Sequence, residues 1–309
     1  MDEIIKIEQR LKREVALKDY DGVDRVILAE EKKEEIEELK KNRPYFLAKT
    51  EIPMLDECVD GFRKGQLVIV SGPTKHGKTT FCQTLTKRFD EQGHKTLWFS
   101  YEVGYEELFE KFPMDNLSFY VPNYMENGNL NWIEDKIIEA KQKYETSIVF
   151  IDNLDFLRDT DILKGIGLNL SSYIGGIVQK IKRIAVEQDM LIFLMSHIRK
   201  NNWSSNELPT AEELRDSGQI AQLADIVLMI ARLVAPKGSE EFYIGNDAMV
   251  GVMANRHNGK TKKIPIIFRY KDKFGNSKDY GEFYESEFKR TKQESNDRPT
   301  ADFTEQIDF

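Results

Sequence analysis

The sequence predicts an α/β protein with a mostly parallel twisted sheet, preceded by a short helical N-terminal arm. Three observations carry this. From about residue 66 onward, apolar runs of strand length alternate with amphipathic stretches of helix length. A Gly-rich segment ending in Gly77-Lys78-Thr79 joins the first such strand to the first such helix. The opening stretch, to about residue 44, is instead dominated by charge with apolar residues at helical spacing. Alternation of strand and helix implies crossover connections, and those favour a parallel sheet covered on both faces.

The elements follow in order. Ile4, Ile7, Leu11 and Val15 form one helical stripe, and Ile36 and Leu39 belong to a second helix from about Val26 to Lys41, with Asp19-Tyr20-Asp21-Gly22 breaking the two. Two readings stay open for this arm: a solvated hairpin, or a second helix that docks on a neighbouring subunit. Pro44 closes it. Gln66 to Val70 reads as a buried strand and Thr79 to Gln92 as a helix, followed by the strand Lys95 to Phe99. Asn131 to Tyr144 is the next helix, with Ile133, Ile137 and Ile138 on one face. The strand Ser147 to Ile151, the helix Leu170 to Gln188 and the strand Met190 to Met195 come next. Ile226 to Arg232, Met249 to Ala254 and Lys263 to Phe268 complete the strands. The expected division is an arm over 1–44, an α/β domain over 45–287 and a disordered acidic tail over 288–309.

Composition sets limits. A chain of 309 residues, 40% hydrophobic and 32% charged, supports one large core with extensions, or at most two domains. No apolar run reaches transmembrane length, and Met1-Asp2-Glu3 lacks the layout of a secretory signal. The expectation is a cytoplasmic protein (of the host cell, for a viral one) with no membrane partner. Cys58 and Cys82 suit a reducing compartment, and four histidines without close Cys partners leave no zinc site. A net charge of −8 counts mildly against a nucleic-acid binder. An assembly can nevertheless be acidic outside and line a channel with a few cations.

The chemistry concentrates in Gly72-Pro73-Thr74-Lys75-His76-Gly77-Lys78-Thr79, which fits G-x-x-x-x-G-K-[ST], with Thr80 following in the first helical turn. Such a loop aims successive backbone N–H groups at phosphate oxygens, and the helix N-terminus adds its positive dipole end. Lys78 reaches the β/γ-phosphates and the Thr79 hydroxyl joins Mg²⁺, so ATP and Mg²⁺ are the expected cofactors. An exposed Lys78, packed against nothing, is expected. Asp152 ends an apolar strand, where a carboxylate can hold Mg²⁺ or its water. Glu102 follows another strand end and can orient and deprotonate the attacking water; spacing alone leaves Glu106 and Glu107 as rivals.

These residues resemble the RecA-like motor domain of the DnaB-like, superfamily 4 replicative helicases over roughly residues 45 to 270. Gly61-Phe62-Arg63-Lys64-Gly65-Gln66-Leu67 resembles the lead-in to that family's P-loop, and Phe99-Ser100-Tyr101-Glu102 its F-S-x-E element. Ile151-Asp152-Asn153-Leu154 resembles its Walker B element. Leu214-Arg215-Asp216-Ser217-Gly218-Gln219-Ile220, with Gln222, Ala224 and Asp225, resembles its DNA-channel loop. Ala254-Asn255-Arg256-His257-Asn258-Gly259 resembles the element bearing its arginine finger, although the family's Lys two residues before that Arg is Ala254 here. His197 stands where bacterial members carry Gln, as in the phage and mitochondrial helicases, and can hydrogen-bond the γ-phosphate. The short charged arm stands where bacterial members have a globular domain and phage members a primase domain.

The resemblance implies an ATP-dependent helicase or translocase acting in replication on single-stranded DNA, as a homo-oligomeric ring, in that family a hexamer. Glu102, Lys78, His197 and Arg256 would be catalytic, with Arg256 supplied by the next subunit. Arg215, Asp216, Ser217 and Gly218, together with Arg199 and Lys200, would grip phosphates without reading sequence. Solvated charge is the alternative for Arg199 and Lys200, and a helix-capping turn for Asp216 to Gly218. The tail Asp302 to Phe309, acidic with a terminal aromatic, either solubilises the chain or docks other replication proteins. Two rival functions share the P-loop: a RecA/RadA-like recombination ATPase forming filaments, and a non-motor ATP-gated loader or accessory protein.

Overall fold

The computed structural model describes residues 2–42, 48–110, 112, 118–126, 128–157, 170–198, 208–210, 217–237, 241–271 and 280–286. The chain divides into two units, Met1–Phe46 and Leu47–Phe309. The first holds α1 (Asp2–Lys18) and α2 (Ala29–Asn42). Ion pairs at helical spacing decorate it, such as Lys12 with Glu8 at 3.0 Å and Lys32 with Glu35 at 2.6 Å. Each contributes only a few tenths of a kcal/mol, roughly 0.2–0.5. Ile7, Leu11 and Val15 of the expected stripe are all exposed.

The second unit carries α3 (Pro53–Val59), β1 (Leu67–Gly72), α4 (Lys78–Glu91), β2 (Thr96–Ser100), α5 (Tyr105–Glu110) and α6 (Leu130–Tyr144). Then come β3 (Ile148–Asp152), a 3₁₀ turn (Leu154–Leu157), α7 (Leu170–Glu187), β4 (Leu191–His197) and α8 (Ser217–Leu223). The strands β5 (Ile226–Lys237), β6 (Glu241–Asn255), β7 (Lys262–Lys271) and β8 (Tyr280–Glu285) finish it.

Among the described residues, eight strands join one sheet in the order β2-β3-β4-β1-β5-β6-β7-β8. The first five are parallel to one another, and β6, β7 and β8 extend the sheet antiparallel. Side chains alternate across the parallel strands, so each strand feeds two cores. One is aliphatic: Leu67, Ile69, Val149, Ile151, Ile192 and Leu194 meet Ile133 and Ile137 of α6 and the Ile174 to Ile184 stripe of α7. The other is aromatic. Phe150 stacks between Trp98 and Phe193, each at 4.8 Å, and Phe89 of α4 packs on the pair. Such ring pairs contribute about 0.5–1.5 kcal/mol beyond their buried area.

The antiparallel extension curls until β8 reaches α4. Buried Arg88 of α4 donates to the carbonyls of Thr50 and Phe283, Lys87 pairs with buried Glu282, and Phe283 lies between Phe81 and Phe268. The sequence reading has no strand here. Tyr280-Gly281-Glu282-Phe283-Tyr284-Glu285 is short, contains glycine and carries two acids, and its strand character comes from distant partners. The expected tail at 288–309 lies outside the described residues.

Candidate active site

Parallel strands present their carboxyl ends along one edge, and here those ends carry the candidate chemistry. Registers match Ser100 with Asp152 and Gly72 with His197, so the strands of Glu102, Asp152, His197 and the P-loop end side by side. Gly72 leaves β1 at φ 150°, and a Cβ there would sit 2.0 Å from the carbonyl oxygen of Ile230 on β5. Only glycine lets the loop depart so close to that backbone. Gly77 turns into α4 at φ 90°, backed by the Phe283 ring. Pro73 and His76 are buried, and Thr74 and Lys75 are exposed. The His76 Nδ1 accepts from the Arg232 backbone N–H at 3.1 Å, and burial pushes this imidazole down to about 4. Thr80 stands in the first turn of α4, its carbonyl accepting from the Thr84 hydroxyl at 3.0 Å.

Lys78 departs from the sequence expectation. It is buried, with 6% exposure, and its Nζ donates to the carbonyls of Gly72 and Pro73 at 3.2 and 3.1 Å. The ammonium thus closes its own loop, because the loop curls over the first turn of the helix. Burial lowers its pKa, while Glu102 and Asp152 oppose that shift.

The Thr79 hydroxyl donates to Asp152 Oδ2 at 2.7 Å. Asp152 Oδ1 is buried without a hydrogen-bond partner among the described residues, and burial raises the carboxyl to about 6. A hydroxyl and an unpartnered carboxylate oxygen side by side fit the oxygen-ligand chemistry of a hydrated divalent cation.

Glu102 comes to the same edge. Its backbone N–H donates to the Asp152 carbonyl at 3.1 Å, its Oε2 accepts from the Asn153 side-chain amide, and His197 Nε2 lies 3.4 Å away. The His197 imidazole beside it is the main cause of its lowered pKa. Glu106 and Glu107 instead face outward on α5. Of the three carboxylates that spacing left open, Glu102 is the one brought to Asp152.

Sequence reasoning missed Asn153, wholly buried between Glu102 and His197. An amide directly after the Asp that ends an apolar strand was the available signal. It also missed Arg232, whose Cδ approaches the P-loop at Gly77. Nothing local marks that residue.

Arg199, Lys200, Arg215 and Asp216 fall outside the described residues, and Ser217 and Gly218 open α8. Asp225, from the same motif, faces the sheet: its Oδ2 accepts from Leu67 N–H at 2.7 Å and from Lys182 at 2.6 Å. Arg256 is exposed in the turn after β6, in a groove shared with Gly175, Gly176 and Gln222. Its backbone N–H donates to the Asp225 carbonyl, which puts it at the amino end of β1, opposite the P-loop.

The family model of the DnaB-like helicase C-terminal domain matches residues 48–131 and 113–276. The chain belongs to that family. Its relatives include a protein named "Probable replicative DNA helicase" in Trieres chinensis, 26% identical over 256 residues, covering 69% of this chain and 53% of that protein. Another is the replicative DNA helicase DnaB of Mycoplasma genitalium, 24% identical over 250 residues, covering 70% and 53%. The chain therefore spans about half the length of the curated relatives it matches. Among solved structures, a DnaB-like replicative helicase studied for its interactions with primase aligns with a TM-score of 0.64 at 19% identity, over 92% of this chain and 76% of that one. A second solved structure, of an ATPase domain, aligns with a TM-score of 0.63 at 19% identity, over 85% of this chain and all of that one (100%). These likenesses place the α/β unit in the RecA-like fold of DnaB ATPase domains, and relatives of this kind imply nucleotide use. No helix of the described residues is long and apolar enough to cross a membrane.

Proposed function

We propose that this chain is the ATP-driven motor of a replicative DNA helicase, working as a ring on single-stranded DNA with ATP bound between subunits. One observation carries the reading. The P-loop, Asp152, Glu102 and His197 gather at the carboxyl edge of the sheet, while Arg256 stands exposed at the amino edge. From Leu67 to Gly72 the strand rises about 17 Å. An arginine side chain cannot span that to its own phosphate site, but it can serve a neighbour stacked head to tail. Heterologous contacts that close on themselves make a ring, of six subunits in this reading.

In the mechanism, backbone N–H groups of Thr74 to Thr79 and the Lys78 ammonium hold the phosphates, with Lys78 exchanging its loop carbonyls for phosphate oxygens. Thr79 and Asp152 would hold Mg²⁺, which neutralises charge on the β- and γ-phosphates when bound. Glu102 orients a water whose oxygen attacks the γ-phosphorus. The water proton passes to Glu102, the bond to the bridging oxygen breaks, and ADP leaves with that electron pair. His197 lies beside Glu102 and senses the γ-phosphate. The loop at Arg215 to Gly218, with Arg199 and Lys200, grips DNA phosphates. Primase and other replication proteins are the proposed partners, by analogy with a fold neighbour studied with primase.

The test measures ATP turnover with and without single-stranded DNA, alongside strand displacement on a forked duplex. DNA-stimulated turnover with displacement is expected. Slow turnover indifferent to DNA, with the fork intact, would overturn the motor reading. Arg215→Ala should lower both DNA affinity and its salt slope, by roughly one unit in the log–log plot, with nucleotide affinity kept.

A further inference from the structure

Strand order decides what can touch what at the catalytic edge. Because β3 lies between β2 and β4, the first residue beyond β3 falls between the residues that follow or end its two neighbours. That residue is Asn153, with no exposed surface. Its Oδ1 accepts from the Asp155 backbone N–H at 2.9 Å, which sets the rotation of the amide. The Nδ2 on the other side donates to Glu102 Oε2 and lies 3.0 Å from His197 Nε2.

Burying an amide is costly unless its hydrogen bonds are met. Capping Asp155 needs only an oxygen, which Asp or Ser would supply equally. The donor half is what distinguishes Asn, and an amide nitrogen has two hydrogens to give. Here it faces the proposed base from β2 and the proposed γ-phosphate sensor from β4.

We infer that Asn153 is a positioning residue for hydrolysis: its amide aims the Glu102 carboxylate and ties it to His197. The inference rests on the reading of Glu102 as base. Holding Oε2 leaves Oε1 to face the attacking water and restricts the swing of a half-exposed side chain. Sharing one amide makes the aim of Glu102 respond to His197. A displacement of His197 by the γ-phosphate, or by the chain that follows it, changes how firmly Glu102 is held. Misplacing a catalytic group by about 1 Å can cost roughly 100-fold in rate.

The test uses the full chain with Asn153→Asp and Asn153→Ala, and Glu102→Gln as control. Asn153→Asp is isosteric and keeps the acceptor for Asp155 but, assayed at a pH where it is ionised, has no donor, so it remains informative if Asn153→Ala does not fold. Steady-state ATPase with and without a single-stranded oligonucleotide gives kcat and KM separately, and binding of a non-hydrolysable ATP analogue gives affinity. The expected result is a fall in DNA-stimulated kcat of about 10- to 100-fold. KM and analogue affinity should stay within about threefold of wild type, a split that loss of structure would not produce. The ratio of DNA-stimulated to basal rate should fall toward one. Wild-type kcat in Asn153→Asp, with Glu102→Gln dead, overturns the inference alone. So does a parallel loss of kcat and analogue affinity. An active Glu102→Gln overturns both the base and its positioning residue.

Discussion

The Arg256 backbone N–H donates to the Asp225 carbonyl at 2.9 Å, and the Asp225 carboxylate accepts from the Leu67 N–H at 2.7 Å. These two bonds fasten the turn bearing Arg256 to the first residue of β1, while the P-loop leaves from the last. If Arg256 serves a neighbour, Arg256→Ala and Lys78→Ala should each be inactive, since such a finger is worth roughly 10³ to 10⁵ in rate. Mixed, some interfaces pair a good P-loop from the first with a good arginine from the second. Partial ATPase activity should therefore return once labelled subunits are shown to exchange. No return despite proven exchange would remove the shared site.

Glu102 and Glu107 separate by position. Glu102→Gln should bind ATP yet hydrolyse it at least about 100-fold more slowly, while Glu107→Gln, on the outward face of α5, should turn over like wild type. Single-turnover hydrolysis on both proteins checks this, and a dead Glu107→Gln with an active Glu102→Gln would reassign the base.

Gly72→Ala should be severely destabilising. The added Cβ would meet the Ile230 carbonyl oxygen at 2.0 Å, and both β1 and β5 are central strands that cannot give way. A loss of about 3 kcal/mol or more is expected. Gly93→Ala is the control: its φ is 81° but nothing among the described residues lies within 4 Å, so only backbone strain of about 1 kcal/mol applies. Urea midpoints of the two variants should differ accordingly.

His76 predicts a pH dependence. Burial holds its native pKa near 4, against 6.5 for the ordinary side chain. Above about pH 6.5 both the native and unfolded chains carry it neutral, and it contributes no pH dependence. As pH falls from 6.5 toward 4 the unfolded chain takes up a proton that the native chain does not, so stability is lost, by up to roughly 3 kcal/mol. His76→Asn removes that proton. Its unfolding free energy should fall less than that of wild type across this window, and identical slopes would refute the assignment.

Much of this protein is legible in short stretches of chain. An apolar run such as Leu67 to Val70 next to a Gly-rich turn and the Thr79 to Gln92 helix needs only its own residues to be recognised. Strand and helix periodicity and loop chemistry are local properties. The same holds for the ordered elements around Glu102, Asp152 and Arg256 that mark the family. What the tertiary structure decided are relations between residues far apart in sequence. Asn153 meets Glu102 and His197 across 51 and 44 positions, and Asp225 meets Leu67 across 158. Lys78 is buried rather than exposed because its loop folds over it, and Tyr280–Glu285 is a strand because Phe283 and Glu282 find α4 some 195 positions away. Hydrophobic pattern specifies which face of each strand is buried. Only the strand order and register place one strand's end beside another's, and there the candidate site is assembled.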